Sequence, residues 1–186
     1  MAARAFFIGL IVALAASAAH ADDITDAIDQ ARKSYQAGDM AGAKQSLDMA
    51  SQLIGQKNAE GFAALLPQPL PGWTGEKPET TSVGVAMLGA STASRRYEKA
   101  GKDVEVRITG DSAMVMQFAQ LLLNPAIAGA MGKIVKVGDQ RAIQTREGDV
   151  NVVIANKYLV TVTGSADAET KAAYARAVDY GKLAKM

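Results

Sequence analysis

The groups that could do chemistry in this chain are carboxylates, lysines, arginines, tyrosines and hydroxyls, because it contains a single histidine, His20, and no cysteine. Cleavage of a signal peptide after Ala21 would also remove His20. A mature chain without histidine and cysteine cannot form the usual zinc ligand sets, a thiolate nucleophile or a serine–histidine triad. We therefore expect no catalytic site, no metal site and no cofactor. A hydrolase that uses two carboxylates stays open as an alternative, because sequence does not give the distance between them.

One arginine is expected on a strand face that is otherwise apolar. A turn at residues 99–102 pairs Arg96 with Glu105 and places Arg95 on the face of Val106, whereas a shift of one residue would place Arg96 there. A guanidinium at the mouth of an apolar pocket suits a carboxylate or phosphate group of a ligand. The alternatives are an inward charge that protects an edge strand and a buried ion pair with Glu105.

Two apolar stretches suggest a ligand between a sheet and its covering helices. Residues 112–132 carry no charge, so they are either core or an exposed apolar patch. With a turn at Asn156 and Lys157, the hairpin of strands 150–155 and 158–163 is apolar on both faces and needs cover on both. One face would carry Val150, Val152, Ile154 and Leu159, and the other Val153, Ala155, Tyr158, Val160 and Val162.

These features lead to our first hypothesis, a non-catalytic binding module for an apolar or amphiphilic ligand or for a protein partner. The residues expected to line its site are Arg95, Tyr97, Phe118, Leu122 and Trp73. Met114 and Met116 are expected in the core, because residues two apart on a helix do not share a face that could hold copper(I).

The elements that precede this sheet form a helical hairpin. Apolar residues at three-and-four spacing run from Ile24 to Tyr35 and from Met40 to Ile54, with Gly38 at the turn. This helix–turn–helix segment resembles a single tetratricopeptide repeat. Since one repeat cannot bury its own faces, the hairpin must lean on another domain or another chain. A second hypothesis is therefore an assembly protein that docks through this hairpin, with Tyr35, Met40 and Leu47 as contact residues.

The first 21 residues have the layout of a secretory signal: Arg4, an uncharged run, and an A-x-A site that ends at Ala21. Cleavage between Ala21 and Asp22 removes one basic residue of the 20, so the mature chain has 19 basic and 19 acidic residues. This balance argues against nucleic acid as a partner. We predict a periplasmic protein with no transmembrane segment in the mature chain and with homo-oligomers as one form of partner.

The predicted fold class is α+β. The expected divisions are a signal peptide (1–21), a helical hairpin (22–66), a proline-rich linker (67–82) and a sheet domain (83–186). The sheet is expected to be mostly antiparallel, with about six to seven strands in two similar halves and two helices on one face. Its first strand is expected near residues 82–88, and a single terminal helix is expected at about 168–184. The halves are suggested by two matching strand-to-helix junctions, at residues 106–113 and 160–166.

Four short motifs resemble a group of small exported bacterial proteins of unknown function. The motifs are Leu70-Pro-Gly-Trp73, Ser94-Arg-Arg-Tyr97, Asn124-Pro125 and Val153-Ile-Ala-Asn-Lys-Tyr-Leu-Val160. The likeness extends over residues 66–186. It implies export and a compact domain, and it implies no activity.

Overall fold

The computed structural model describes residues 19–82, 90–110, 112–123 and 125–186. Within these ranges the predicted α+β class is confirmed: a pair of N-terminal helices precedes an antiparallel sheet. The hydrophobic part of the expected signal lies outside the described residues, and so does most of the strand expected near residues 82–88. The side chains of Met114, Phe118 and Leu122 also lie outside those that the structure describes.

The N-terminal hairpin consists of α1 (Ala19–Gln36) and α2 (Met40–Ala63). Gly38 adopts a positive φ of 79°, the left-handed conformation that commonly ends a helix. Asp39 then caps α2, and its carboxylate accepts a hydrogen bond from the Gly42 amide at 2.9 Å. The predicted helical hairpin is therefore present, with its turn where the sequence places it.

The remaining elements form the sheet and the helices that follow its two halves. The strands are β1 (Thr74–Gly75), β2 (Glu79–Ser82), β3 (Ser91–Lys99), β4 (Lys102–Gly110), β5 (Lys133–Val137), β6 (Gln140–Gln144), β7 (Val150–Ile154) and β8 (Tyr158–Thr163). The helices are α3 (Ala113–Leu123), α4 (Pro125–Met131), α5 (Ala168–Arg176) and α6 (Tyr180–Leu183). The single terminal helix expected at 168–184 is thus divided in two, and the Asp179 side chain caps the second part.

The sheet joins two meanders through their last strands. Its order is β1-β3-β4-β8-β7-β6-β5, with β2 also paired to β3. At the centre, Val106 pairs with Val162 and Ile108 with Val160, and all four side chains are fully buried. The strand parts of the two motifs that look alike in sequence therefore pair with each other, and their helix-opening ends lie at opposite ends of the antiparallel pair of β4 and β8, in agreement with two similar halves.

The expectation that the β7–β8 hairpin is apolar on both faces is wrong. Its turn has three residues, 155–157, with positive φ at Ala155 and Asn156, and Ile154 pairs with Tyr158. A turn one residue longer than expected moves one strand's side chains to the other face. The buried face collects Val150, Val152, Ile154, Tyr158, Val160 and Val162, and the other face carries Asn151, Val153, Leu159 and Thr161.

The proline-rich segment 67–82, expected as a linker, contributes to the sheet. Thr74 and Gly75 pair with the end of β3, and β2 pairs with its beginning. Upstream, Phe62 and Leu66 belong to the same buried core as the sheet. The C-terminal half of α2 and the chain that follows it therefore cover one end of the buried sheet face.

At the other end, α5 covers the sheet and carries a buried lysine. The Lys171 ammonium, 1% exposed, donates to the Glu147 carbonyl and the Asp149 carboxylate at 2.7 Å each, and to the Gly164 carbonyl at 3.1 Å. Its three donors are matched by three acceptors. This lysine ties the turn before β7 and the end of β8 to the helix.

Replacing this lysine should therefore destabilise the whole domain. Lys171→Met leaves the Asp149 carboxylate without its ion-pair partner, and we expect the free energy of unfolding to fall by about 3 kcal/mol in urea titration. The matched control is Lys182→Met, because Lys182 pairs with Asp179 at 3.2 Å with both side chains largely exposed. A loss no greater for Lys171→Met than for this control would contradict the assigned role.

Candidate functional site

Three residues of the predicted ligand site do come together. Arg95, Tyr97 and Trp73 lie around Tyr174 of α5, on the sheet face covered by the proline-rich segment. The Tyr97 and Tyr174 ring centroids are 4.3 Å apart, and the Trp73 ring meets Tyr174 edge-on at 5.6 Å. We call these four residues the tyrosine cluster.

The predicted register of β3 and β4 is correct and places Arg95 on the buried face. Arg96 pairs with Glu105 and Arg95 with Val106, because a two-residue turn follows Lys99. The alternative of an Arg95–Glu105 pair is wrong: Glu105 lies on the opposite face, with its carboxylate 2.5 Å from the Arg107 guanidinium and 3.7 Å from that of Arg96.

The Arg95 guanidinium contacts main-chain oxygens of the proline-rich segment. Its Nε donates to the Glu76 carbonyl at 2.8 Å, and its Nη1 donates to the Pro67 carbonyl at 3.3 Å. The guanidinium carbon lies 5.4 Å from the centroid of the Tyr97 ring, within the range of a cation–π contact. The charge that sequence analysis singled out is thus engaged with the chain's own backbone.

Tyr97 holds the same segment from inside the core. Its hydroxyl, on a fully buried side chain, donates to the Pro67 carbonyl at 2.6 Å, and the Tyr174 hydroxyl accepts from the Leu70 amide at 3.3 Å. Burial raises the pKa of Tyr97 well above its usual value of 10, although the nearby Arg95 charge lowers it. The cluster therefore clamps residues 67–76 onto the sheet, and a role in ligand binding stays a prediction.

A hydroxyl–carboxylate pair joins the two halves of the sheet near this cluster. The Ser165 hydroxyl donates to the Asp103 carboxylate at 2.5 Å, and the Asp103 amide donates back to the Ser165 hydroxyl at 3.0 Å. The hydrogen bonds from Ser165 hold the pKa of the Asp103 carboxyl below its usual value. The pair fixes the start of β4 against the chain that leaves β8.

Clefts on the described part of the sheet domain include a small charged one and a larger one beside α4. A charged cleft of about 170 Å³ is smaller than most ligand pockets, and the Glu105 carboxylate in it is paired with two arginines. It is lined by Glu76, Lys77, Glu79, Ser94, Arg96, Glu105 and Arg107. A second cleft of about 500 Å³ lies between α4, β6 and the start of α5, where the Lys133 and Arg146 side chains are exposed.

The sequence left open whether the uncharged stretch 112–132 is core or an exposed patch, and the structure shows some of its residues buried and others exposed. Val115 and Ala119 of α3 are buried, whereas Met116 is 55% exposed and Ile127 of α4 is 36% exposed, so the expectation that Met116 lies in the core is wrong. One side of α3 therefore packs on the fold, while other residues of the stretch present uncharged surface to solvent. The side chains of Phe118 and Leu122, expected as ligand contacts, lie outside those that the structure describes.

Between Ile28 and Ile54, the N-terminal hairpin buries alanines and exposes most of its large apolar residues. Ala31, Ala43 and Ala50 are buried, and among the described elements α2 is the one with which α1 makes extensive contact. The large apolar residues Ile28, Tyr35, Met40, Leu47 and Ile54 are between 43% and 63% exposed. The residues predicted to bind a partner, Tyr35, Met40 and Leu47, all belong to this exposed set.

These five residues lie on the same side of the hairpin. Ile28 and Tyr35 are seven residues apart on α1, and Met40, Leu47 and Ile54 are seven apart on α2, so each set forms one stripe. Because the two helices run antiparallel, both stripes lie on the same side of the buried alanines. We call this surface the hairpin face; Ile28 and Ile54 belong to it in addition to the expected contact residues Tyr35, Met40 and Leu47.

A separate groove of about 1110 Å³ also runs along the hairpin. Its apolar residues are Ala27, Met49 and Leu53, and most of the others are polar. None of the five hairpin-face residues lines it, although Lys44 and Asp48, which flank the face on α2, do. Among the described residues we find no group of acidic or histidine side chains placed to hold a metal ion, and no helix with the length and apolarity needed to cross a membrane.

If the tyrosine cluster is a clamp, Arg95→Ala should lower the free energy of unfolding by about 2 kcal/mol, the scale of hydrogen bonds from a charged donor. Arg96→Ala is the matched control, because its side chain is 47% exposed and its ion pairs are long, at 3.6 and 3.7 Å. Unchanged stability of Arg95→Ala, together with lost affinity for an anionic ligand, would favour the ligand interpretation.

The Asp103–Ser165 pair predicts a pH dependence. Because the folded-state pKa of Asp103 lies below that of the unfolded chain, the pair stabilises the fold above the unfolded pKa, about 4, and this contribution is lost as pH falls through the folded value. Ser165→Ala should raise the pKa of Asp103 towards its usual value in an NMR titration of the carboxyl carbon. An unshifted titration would show that the hydroxyl does not set this pKa.

Comparison of the chain with protein-family models, curated proteins and solved structures finds no match. The resemblance of residues 66–186 to small exported proteins therefore stays a prediction. A function for this chain has to be argued from its own geometry.

Proposed function

We propose that this chain is an exported, non-catalytic assembly protein that binds a protein partner through the hairpin face. The observation that carries the proposal is the separation by size in residues 28–54 of the hairpin, with alanines inside and large apolar side chains outside. Exposed large apolar residues are ordinary when scattered, but a contiguous set on one surface is typical of an interaction site.

The position of the hairpin adds support. The C-terminal half of α2 packs on β2, β3 and β4, whereas α1 packs mainly on α2. The turn end of the hairpin, with Tyr35 and Met40, therefore extends away from the sheet. A single helix–turn–helix unit leaves faces that a second unit normally covers, which is why such units occur in arrays or complexes.

Assembly has more support than ligand carriage. The β7–β8 hairpin has one apolar face and one mixed face, so its need for a second cover is smaller than the sequence suggested. Arg95 also donates two hydrogen bonds to carbonyl oxygens of the chain itself, so these two donors do not bind an anionic ligand. Export rests on the layout of residues 1–21, and a periplasmic location is part of the proposal.

Site-specific photocrosslinking in living cells tests the proposal. A photoreactive residue replaces Leu47 on the hairpin face or, as the matched control, Met49 two positions along the same helix. The two side chains have nearly equal exposure, 55% and 53%, and project about 200° apart around α2. We expect a protein adduct from position 47 and little or none from position 49. Equal labelling at both positions, or none at 47, would contradict the proposal.

A further inference from the structure

We infer that the partner is a second copy of this chain, with two hairpin faces packed against each other in an antiparallel four-helix bundle. The inference rests on the proposed function, because it names the occupant of the same face. Three features of the hairpin point to this occupant: its residue spacing, the area it exposes and the order of its flanking charges.

The spacing is that of a helix-bundle seam. Met40, Leu47 and Ile54 recur every seven residues on α2, and Ile28 and Tyr35 are seven residues apart on α1. A seven-residue repeat keeps apolar side chains directed at a neighbouring helix that runs alongside at a small angle. Two adjacent helices with such stripes match a second pair of helices, as in four-helix bundles.

The exposed area is sufficient for a specific interface when it is doubled. Large apolar side chains of about 200 Å² that are half exposed offer about 100 Å² each, so five offer about 500 Å² per copy. Two such faces would bury about 1,000 Å², the lower limit for a specific interface. The flanking polar residues add to this area.

The charges beside the face fix the orientation of the second copy. On α1, Asp29 pairs with Arg32 at 3.2 Å, and on α2, Lys44 pairs with Asp48 at 2.8 Å. Arg32 and Lys44 border the face: Arg32 lies between Ile28 and Tyr35 in the α1 stripe, and Lys44 lies between Met40 and Leu47 in the α2 stripe.

An antiparallel second copy brings unlike charges together on both flanks. Each helix then faces its own counterpart in reverse order, so Asp29 lies opposite Arg32 of the second copy, and Lys44 lies opposite Asp48. The midpoints of both charge pairs are level with the middle of the face. In the parallel arrangement α1 would face α2 of the second copy, and Arg32 would lie level with Lys44, because each is six residues from Gly38.

The test is the mass in solution of the exported protein after removal of its signal peptide and with no further truncation. It is measured by sedimentation velocity over the micromolar range of protein concentration. We expect the mass of two chains. Leu47→Asp places a carboxylate in the seam and should weaken dimerisation about 30-fold or more. The matched control, Met49→Asp, introduces the same charge outside the face and should leave the dimer intact. A monomeric wild type, or equal effects of the two variants, would overturn the inference.

Charge reversal tests the orientation. In the antiparallel bundle, Asp29→Arg puts like charges opposite each other and weakens the dimer, and the added Arg32→Asp change restores it. In the parallel arrangement Asp29→Arg would instead face Asp48 and tighten the dimer, which would contradict the antiparallel geometry.

The failure of this inference is distinguishable from the failure of the proposed function. A monomeric chain whose position 47 crosslinks to a different protein overturns the dimer and keeps the assembly function. A crosslink from position 47 to residues 1–18 of the same chain overturns both, because the face would then be covered internally. A monomer without any crosslink also overturns both.

Discussion

The pairing of β4 with β8 is the constraint on which the rest of this structure depends. It joins two meanders through fully buried Val106, Ile108, Val160 and Val162, and it thereby assigns one face of the whole sheet to the core. Because side chains alternate along every strand, this pairing decides where Glu105 points, and the register of β3 on β4 then decides where Arg95 and Tyr97 point. The buried face then needs cover, and the described segments that supply it include the end of α2, the proline-rich chain, α5 and α6.

The cover explains why the hairpin protrudes. Phe62 near the end of α2 packs edge-on against Tyr158, with ring centroids 5.6 Å apart, while the clamp of Arg95 and Tyr97 holds the chain that follows. These contacts fix the C-terminal end of α2 on the sheet. Near its turn, the hairpin packs helix against helix, through buried alanines. Its large apolar residues there remain exposed in the single chain.

Much of the fold could be predicted from the sequence, and the failures have specific causes. Ala100-Gly101 matches a two-residue turn, so the register of β3 and β4 was predictable. The β7–β8 turn was not, because it contains no glycine to mark it: its positive φ values fall on Ala155 and Asn156, and the residue types do not show that Ala155 belongs to the turn rather than to the strand. In the hairpin, alanines and large apolar residues occupy overlapping stripes, and a pattern that treats them alike cannot say which stripe faces inward. Packing decides it, because helices joined through alanines approach closely.

The central claim, that the hairpin face is covered in the functional protein, is tested most directly by oxidative footprinting of the unaltered protein in its own compartment. Met40 lies on the face and Met49 lies in the separate groove, and in the single chain they are 62% and 53% exposed. Sulfoxide formation follows exposure of the thioether, so each methionine serves as the other's internal standard. The account predicts that Met40 is oxidised several-fold more slowly than Met49. Oxidation of Met40 at the same rate as Met49, or faster, would contradict it.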